Sequence, residues 1–154
     1  MDSTTIIRAF AGIFFLAFLA LFIVIAVFYV LTLSRALNKC NPLARTIQPG
    51  TLWLLLIPFV NLIWHFFVVI GMANSLGNEF RARQMANVDP EPGKSIGLAM
   101  CICGVCGFIP ILGVLAGLAY LVLWIIYWIK INEFSQMLDR LPTAGVPPMT
   151  PQAF

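Results

Sequence analysis

The side chains with the greatest potential for chemistry are His65, the only histidine, and Asn61, four residues before it. Residues four apart lie on the same face of a helix. Inside an apolar helix, such a pair can line a polar seam that takes up a proton or contacts a ligand. The alternative is an ordinary hydrogen bond between helices, which contributes about 0.6 kcal/mol on average in bilayers. The sequence favours this second interpretation.

A second group of reactive side chains comprises Cys101, Cys103 and Cys106. Zinc prefers four ligands in a tetrahedron, and no histidine lies near these three thiols in the sequence. We therefore predict that the cysteines are small packing residues and that the protein holds no metal or other cofactor. The apolar stretches also contain no nucleophile–base pair, which predicts a protein that is not an enzyme.

Charge is excluded from three long stretches of the chain, residues 9–34, 46–78 and 95–129. Charged residues make up 10% of the sequence and hydrophobic residues 61%, whereas soluble domains carry about 25% charged residues. Apolar runs of about 18 residues or more match a hydrocarbon layer about 30 Å thick. The sequence therefore predicts an integral membrane protein that contacts the lipid bilayer. Because no acidic residue lies within these stretches, a proton pump or an ion-coupled transporter is disfavoured.

Prolines divide the three stretches into four predicted transmembrane helices, so the predicted fold class is all-α. Residues 96–129 would form a single helix about 51 Å long, which exceeds one crossing, and Pro110 lies where a break is needed. Pro58 kinks or restarts the second helix in the same way. The alternative is three spans plus a re-entrant leg. The predicted helices, all in one domain of residues 1–140, are 9–33, 51–78, 95–109 and 111–131.

An internal repeat favours the arrangement of these helices as two hairpins. Ile57-Pro58 precedes Asn78-Glu79-Phe80, and Ile109-Pro110 precedes Asn132-Glu133-Phe134 at a similar distance. A duplication would place both prolines on one side of the membrane and both tripeptides on the other. Chance similarity in an apolar sequence is the alternative. The i,i+4 spacing of Glu79 and Arg83 further predicts an exposed extension of the second helix.

Small residues are frequent in the last two predicted helices. Small residues four apart allow two helix backbones to approach closely. We predict that they pack the second hairpin on itself, and contact between subunits of a homo-oligomer is the alternative. The candidate packing residues are Gly104, Gly107, Gly113 and Gly117.

The first polar loop carries Arg35, Lys39 and Arg45 and no acidic residue. These residues are candidate contacts for anionic lipid headgroups, although a solvated connector is the simpler interpretation. If the chain crosses the membrane four times, six basic residues lie on the same side as the two termini. Arg35, Lys39 and Arg45 then lie on the opposite side. This distribution favours both termini in the cytoplasm. A net charge of +3 is too small to indicate nucleic-acid binding.

The segment from Pro49-Gly50 to Trp64 resembles a group of small bacterial membrane proteins. The shared pattern is P-G-x-x-W…I-P-x-x-N-L-x-W, followed later by F-I-P-x-x-G, which Phe108-Ile109-Pro110 and Gly113 match here. The similarity extends from about Asn41 to Leu138. It implies a four-helix protein of a bacterial inner membrane and implies no activity, since the group has no established function.

Two functional hypotheses follow from these features. The first is a non-enzymatic membrane protein that anchors or scaffolds protein partners through its cytoplasmic ends or its tail. The tail, residues 141–154, is rich in proline and is predicted to be disordered. The second is a small oligomeric channel or membrane-perturbing effector, in which Asn61 and His65 face a lumen.

Overall fold

The computed structural model describes residues 2–85 and 88–140, and this part of the chain is helical with no β-strand. The predicted disordered tail lies outside the described residues. Four α-helices and one 3-10 helix make up the fold. In chain order they are α1 Ser3–Lys39, the 3-10 helix Pro49–Leu56, α2 Pro58–Ala82, α3 Lys94–Cys106 and α4 Gly113–Arg140.

Three of these helices are long and apolar enough to cross a membrane, namely Ile7–Lys39 within α1, α2 and α4. The protein is therefore consistent with a multi-pass membrane protein built only of helices. Helix α3 has 13 residues, or about 20 Å, which is short of a hydrocarbon layer about 30 Å thick.

Proline determines where α2 begins. The predicted helix 51–78 is two elements in the structure, because the 3-10 helix ends at Leu56 and α2 starts at Pro58. A proline lacks an N–H donor and its ring collides with the carbonyl four residues earlier, so it occupies the first turn of a helix and not its interior. Gly93, with φ of 76°, similarly precedes α3 in a left-handed conformation that glycine adopts readily.

Side-chain contacts show that α1, α2 and α4 run in the same direction. Tyr29, in the last third of α1, bonds His65, in the first third of α2. Farther along, Arg83 after α2 donates to the carbonyl of Lys39 at the end of α1. Between α1 and α4, Trp128 donates to Thr32, and Lys39 donates to Ser135. Residue numbers therefore increase in the same direction along all three helices.

The 3-10 helix and α3 run in the opposite direction, so the two hairpins of the structure are the 3-10 helix with α2 and α3 with α4. The predicted first hairpin, of helices 9–33 and 51–78, is not confirmed, because α1 and α2 run in the same direction. In the first hairpin, Trp64 of α2 donates a hydrogen bond to the carbonyl of Thr51 in the 3-10 helix. In the second hairpin, α3 packs antiparallel on α4 through the turn at residues 107–112. Both turns, at Ile57-Pro58 and Ile109-Pro110, consequently lie away from the end where α1, α2 and α4 finish.

We call the end where α1, α2 and α4 finish the charged end. Phe80 and Phe134, from the two Asn-Glu-Phe tripeptides, are in ring contact there at 5.9 Å. Lys39 forms an ion pair with Asp139 at 2.6 Å, and Arg83 donates to the carbonyl of Lys39. The prediction that the basic loop lies opposite the ends of α2 and α4 is therefore wrong. The 3-10 helix leads the chain away from this end and α2 returns it, and the sequence pattern does not distinguish that 3-10 helix from part of a span.

The packed core lies toward the charged end. Leu33, Leu37, Met72, Leu76 and Ile131 are fully buried between α1, α2 and α4. In contrast, the first two thirds of α1 expose their large apolar side chains, for example Phe10 and Phe14 at 70% and 75%. The core thus holds the helices together at one end and leaves α1 projecting from it.

Candidate functional site

The structure places the polar pair on the inner side of α2. The Tyr29 hydroxyl and Nε2 of His65 are 3.0 Å apart in a buried hydrogen bond, and the His65 side chain is 5% exposed. Asn61 lies one turn closer to Pro58, and its Oδ1 is buried without a hydrogen-bond partner among the described residues. The two polar side chains therefore differ, since His65 has a partner within the bundle and the carbonyl oxygen of Asn61 has none.

Tyr29 is held by aromatic side chains from α4. Its ring centroid lies 5.2 Å from that of Trp124 and 5.8 Å from that of Trp128. Trp128 in turn donates from Nε1 to the hydroxyl of Thr32 at 3.0 Å. These contacts fix the Tyr29 ring and with it the position of His65. The sequence carried no signal for Tyr29 as the partner, because a tyrosine in an apolar run is also typical of ordinary packing.

A cavity of about 440 Å³ lies between the two hairpins, close to their turns. We call it the hairpin cavity. Its walls are mostly apolar, and Asn61, His65 and Tyr120 supply polar side chains. The start of α2, the end of α3 and the first turns of α4 form it. The other lining residues are Pro58, Phe59, Leu62, Cys101, Cys103, Gly104, Gly107, Phe108 and Gly117.

The four candidate packing glycines occupy different environments. A Cβ on Gly104 would lie 3.3 Å from the ring of Tyr120, and one on Gly113 would lie 2.6 Å from the carbonyl oxygen of Gly107. Gly104, Gly107 and Gly113 thus lie where α3, the turn and α4 approach closely. Gly117 meets nothing within 4 Å and lines the hairpin cavity.

Two other glycines allow the closest approaches between elements. A Cβ on Gly97 of α3 would lie 2.5 Å from Val69 of α2 and 2.9 Å from Tyr127 of α4. A Cβ on Gly77 would overlap the carbonyl oxygen of Pro90. Gly77 lies four residues after Ala73 in α2, outside the last two predicted helices, so it was not among the candidate packing residues.

A buried ion pair joins α2 to the other elements at the charged end. Arg83 Nε lies 2.8 Å from Glu79 Oε1, and both side chains are 5% exposed. The backbone N–H of Asn41 donates to the other carboxylate oxygen at 2.7 Å, and Arg83 also donates to the carbonyl of Leu138. The prediction that Glu79 and Arg83 form an exposed extension of the helix is therefore wrong, because the loop after α1 and the end of α4 cover them.

The three candidate headgroup contacts have different surroundings. Lys39 Nζ donates to Ser135 Oγ at 2.8 Å and pairs with Asp139. Arg45 donates to the carbonyls of Cys40 and Asn38. Arg35 alone of the three has an exposed side chain. Lys39 and Arg45 thus contact other parts of the protein, and contact with a lipid headgroup stays a prediction for the exposed Arg35.

Polar contacts of the loop after α1 fasten it to α2. The Thr46 N–H donates to Ser75 Oγ at 2.9 Å, and the Thr46 hydroxyl donates to the Gly71 carbonyl at 2.9 Å. Cys40 is buried beside this loop, and burial, with a smaller contribution from the Glu79 carboxylate, raises the pKa of its thiol to about 12. Cys40 is therefore an unreactive thiol near neutral pH.

Comparison with known proteins adds no family or function to this geometry. The chain matches no protein-family model, no curated protein and no solved structure. Among the described residues, no group of three or more His, Cys, Asp and Glu side chains is arranged to hold a metal ion. The two features that can carry a function are the charged end and the hairpin cavity.

Proposed function

We propose that this chain is a non-enzymatic membrane protein that anchors protein partners to one face of a bacterial inner membrane. The observation that carries the proposal is the distribution of charge. Every charged residue except Asp2 and Arg8 lies at the charged end. An apolar helix and two apolar hairpins extend from that end, so one surface is available to partners and the rest is available to lipid.

In the proposed topology, α1 alone among the described elements crosses the whole membrane, although α2 and α4 are also long enough to do so. Its charge-free residues 9–34 span about 39 Å, and charged residues flank them at both ends. The two hairpins enter from the charged end and return to it. Phe59 and Ile111, beside the two turns, are 93% and 90% exposed. These apolar turns suit a hydrocarbon environment and do not suit a loop in water.

The same topology sets the orientation. Eight of the nine Lys and Arg residues lie at the charged end, and Arg8 is the exception. The positive-inside rule places such an end in the cytoplasm. Because α1 and α4 run in parallel, Asp2 and Arg140 then lie on opposite sides of the membrane. This proposal replaces the expectation of two cytoplasmic termini.

The charged end has the properties of a docking surface for proteins. Its interior is fixed by the buried Glu79–Arg83 pair and by Lys39. Its exterior exposes both signs of charge, since Arg81, Glu133 and Arg140 are exposed. A fixed surface of mixed charge favours specific contacts with a complementary partner over general attraction to anionic lipid.

Within residues 2–85 and 88–140, no contact favours the hypothesis of a channel with Asn61 and His65 facing its lumen. His65 is buried against Tyr29, and Asn61 faces the hairpin cavity within one chain. Neither side chain lies on the outward surface of α2 that a second copy would meet at a shared lumen. We therefore retain the anchor as the proposed function.

Photo-crosslinking tests the proposal directly. One variant carries the photo-crosslinker p-benzoylphenylalanine in place of Glu133, which is exposed at the charged end. A matched variant carries it in place of Phe14 of α1, which is 75% exposed on the apolar surface. In intact cells, we expect the probe at position 133 to give discrete protein adducts on gels and by mass spectrometry. The probe at position 14 should give mainly lipid adducts. Lipid adducts alone from both positions would contradict an anchoring function.

A further inference from the structure

A groove at the charged end is lined by one cation and one anion. Its volume is about 300 Å³, and it lies between the loop before α3, the first turn of α3 and the last third of α4. We call it the interfacial groove. Lys130 and Asp89 are the two charged residues of its lining. The lining is otherwise mostly apolar, with Val88, Ile96, Phe134 and Met137. Charge complementarity therefore favours an occupant that carries both signs of charge.

The third charge-free stretch places this groove at the surface of the membrane. Lys130 directly follows residues 95–129, and Trp128 lies two residues before it. Tryptophan and lysine at the end of an apolar helix are typical of the boundary between hydrocarbon and headgroups. One or two turns farther into the stretch, Ile126 of α4 and Ile102 of α3 are 39% and 56% exposed. A lipid can therefore place its headgroup in the groove and its acyl chains on the apolar surface beside it.

The cation of the groove lies nearer to the hydrocarbon than the anion does. Lys130 lies about three turns before the end of α4 at Arg140. Asp89 precedes Pro90, whose carbonyl lies against Gly77 in the last two turns of α2. In a phospholipid with an ethanolamine headgroup, the phosphate lies next to the glycerol and the amine lies farther out. The order of charges in the groove thus complements the order of charges in that headgroup.

Lys130 is available to bind the phosphate. Among residues 2–85 and 88–140, no carboxylate lies within ion-pair distance of its Nζ. Ser95 and Ile96, in the first turn of α3, line the groove beside it, and no side chain caps this helix start. A helix N-terminus attracts an anion. It supports the position of the phosphate that Lys130 indicates.

Asp89 is available to bind the amine. Its Oδ1 accepts the N–H of Glu91 at 3.0 Å, and its Oδ2 has no hydrogen-bond partner in the part of the chain that the structure describes. The side chain is exposed, so a headgroup can reach it from the aqueous side. A primary ammonium group has three N–H donors, whereas the trimethylammonium group of choline has none. The carboxylate therefore distinguishes ethanolamine from choline.

We propose that the interfacial groove binds one phosphatidylethanolamine molecule, with its phosphate at Lys130 and its ammonium group at Asp89. With about 30 Å³ for each water-sized group, the groove has room for about ten non-hydrogen atoms, which accommodates a phosphoethanolamine headgroup. The proposal requires only that the charged end lies at the membrane surface. It therefore holds whether or not a protein partner docks there.

Native mass spectrometry of the full chain in detergent tests the proposal by counting the lipids that each chain retains. Phosphatidylethanolamine, phosphatidylcholine and phosphatidylglycerol with the same acyl chains are titrated in turn. We expect one bound phosphatidylethanolamine per chain. The other two should bind about three- to tenfold more weakly, because choline has no N–H donor and the glycerol headgroup has no positive charge. Equal retention of the three lipids would overturn the proposal, and so would a preference for phosphatidylglycerol.

Two variants with matched controls complete the test. Asp89→Asn keeps an acceptor for the N–H of Glu91 but removes the charge, so it should bind the ethanolamine and choline lipids equally. Lys130→Gln should weaken the binding of both. Glu133→Gln and Arg81→Gln remove exposed charges of the same signs outside the groove and should leave binding unchanged. A preference that survives Asp89→Asn, or binding that is unaffected by Lys130→Gln, would contradict the site. Retention of no lipid would assign the groove to a protein partner instead.

Discussion

Glu79 and Glu133 occupy the same position in two copies of the tripeptide Asn-Glu-Phe, yet only Glu79 is buried. Arg83 and the backbone of Asn41 satisfy both oxygens of the Glu79 carboxylate. Such satisfaction is what allows a carboxylate to be buried at all. Both tripeptides therefore lie toward the charged end, and the loop after α1 covers only the first.

Replacement of Glu79 by alanine tests the role of this pair. Removal of one partner leaves the Arg83 guanidinium and the Asn41 N–H buried with fewer acceptors. We expect the free energy of unfolding, measured in detergent, to fall by about 3 kcal/mol. This is at the low end for a broken buried pair, because Arg83 keeps its hydrogen bonds to the carbonyls of Leu138 and Lys39. The matched control is Glu133→Ala, which should change that energy by less than about 0.5 kcal/mol, and equal effects of the two substitutions would argue against the pair.

At the same scale, sequence reasoning identified Asn61 and His65 but not their surroundings. A histidine in an apolar helix is conspicuous because burial of a polar group needs a partner. The partner Tyr29 lies in another charge-free stretch, and nothing in the sequence links the two positions. Pairing across helices depends on which faces meet, which is a property of the packed bundle.

At the scale of the elements, prolines predicted the breaks in the helices but not the directions of the chain. Pro58 and Pro110 do lie at turns. The residues before Pro58 form a 3-10 helix that leads away from the charged end, antiparallel to α2, whereas the sequence pattern alone indicates that residues 51–78 form one kinked span. An apolar run has the same appearance in a span and in one leg of a hairpin, so the sequence pattern predicts loops on alternate sides of the membrane.

Gly77 shows how closely these elements approach. A methyl group at this position would overlap the backbone carbonyl oxygen of Pro90, which cannot rotate away as a side chain can. We expect Gly77→Ala to destabilise the fold by about 1–3 kcal/mol, measured as the midpoint of thermal unfolding in detergent. The control is Gly117→Ala, where the added methyl group meets nothing within 4 Å. It should stabilise α4 by up to about 1 kcal/mol, and a loss of stability in both variants would show that the contact at Gly77 is not the cause.

At the scale of the whole molecule, the three charge-free stretches have two different structural meanings. The first stretch, 9–34, lies within a single helix with charged residues at opposite ends. The second and third, 46–78 and 95–129, each begin and end at the charged end and turn near the middle. The exclusion of charge predicted contact with hydrocarbon, and three of the helices are long and apolar enough to cross a membrane. The proposed topology assigns a complete crossing to α1 and treats the other two stretches as hairpins that return.

Lysine substitutions at exposed apolar positions distinguish this topology from one with four crossings. Phe59, Ile111 and Leu43 are all at least 90% exposed, at 93%, 90% and 96%. Only Leu43 lies at the charged end, beside Arg45. If both turns lie in hydrocarbon, Phe59→Lys and Ile111→Lys each cost about 2.5–3.5 kcal/mol on insertion and reduce the yield of membrane-inserted protein, whereas Leu43→Lys leaves it unchanged. Equal yields of all three variants in membrane fractions would place the turns in water. Four crossings would then describe the molecule better, because only a turn that reaches the far aqueous side can accept a lysine without cost.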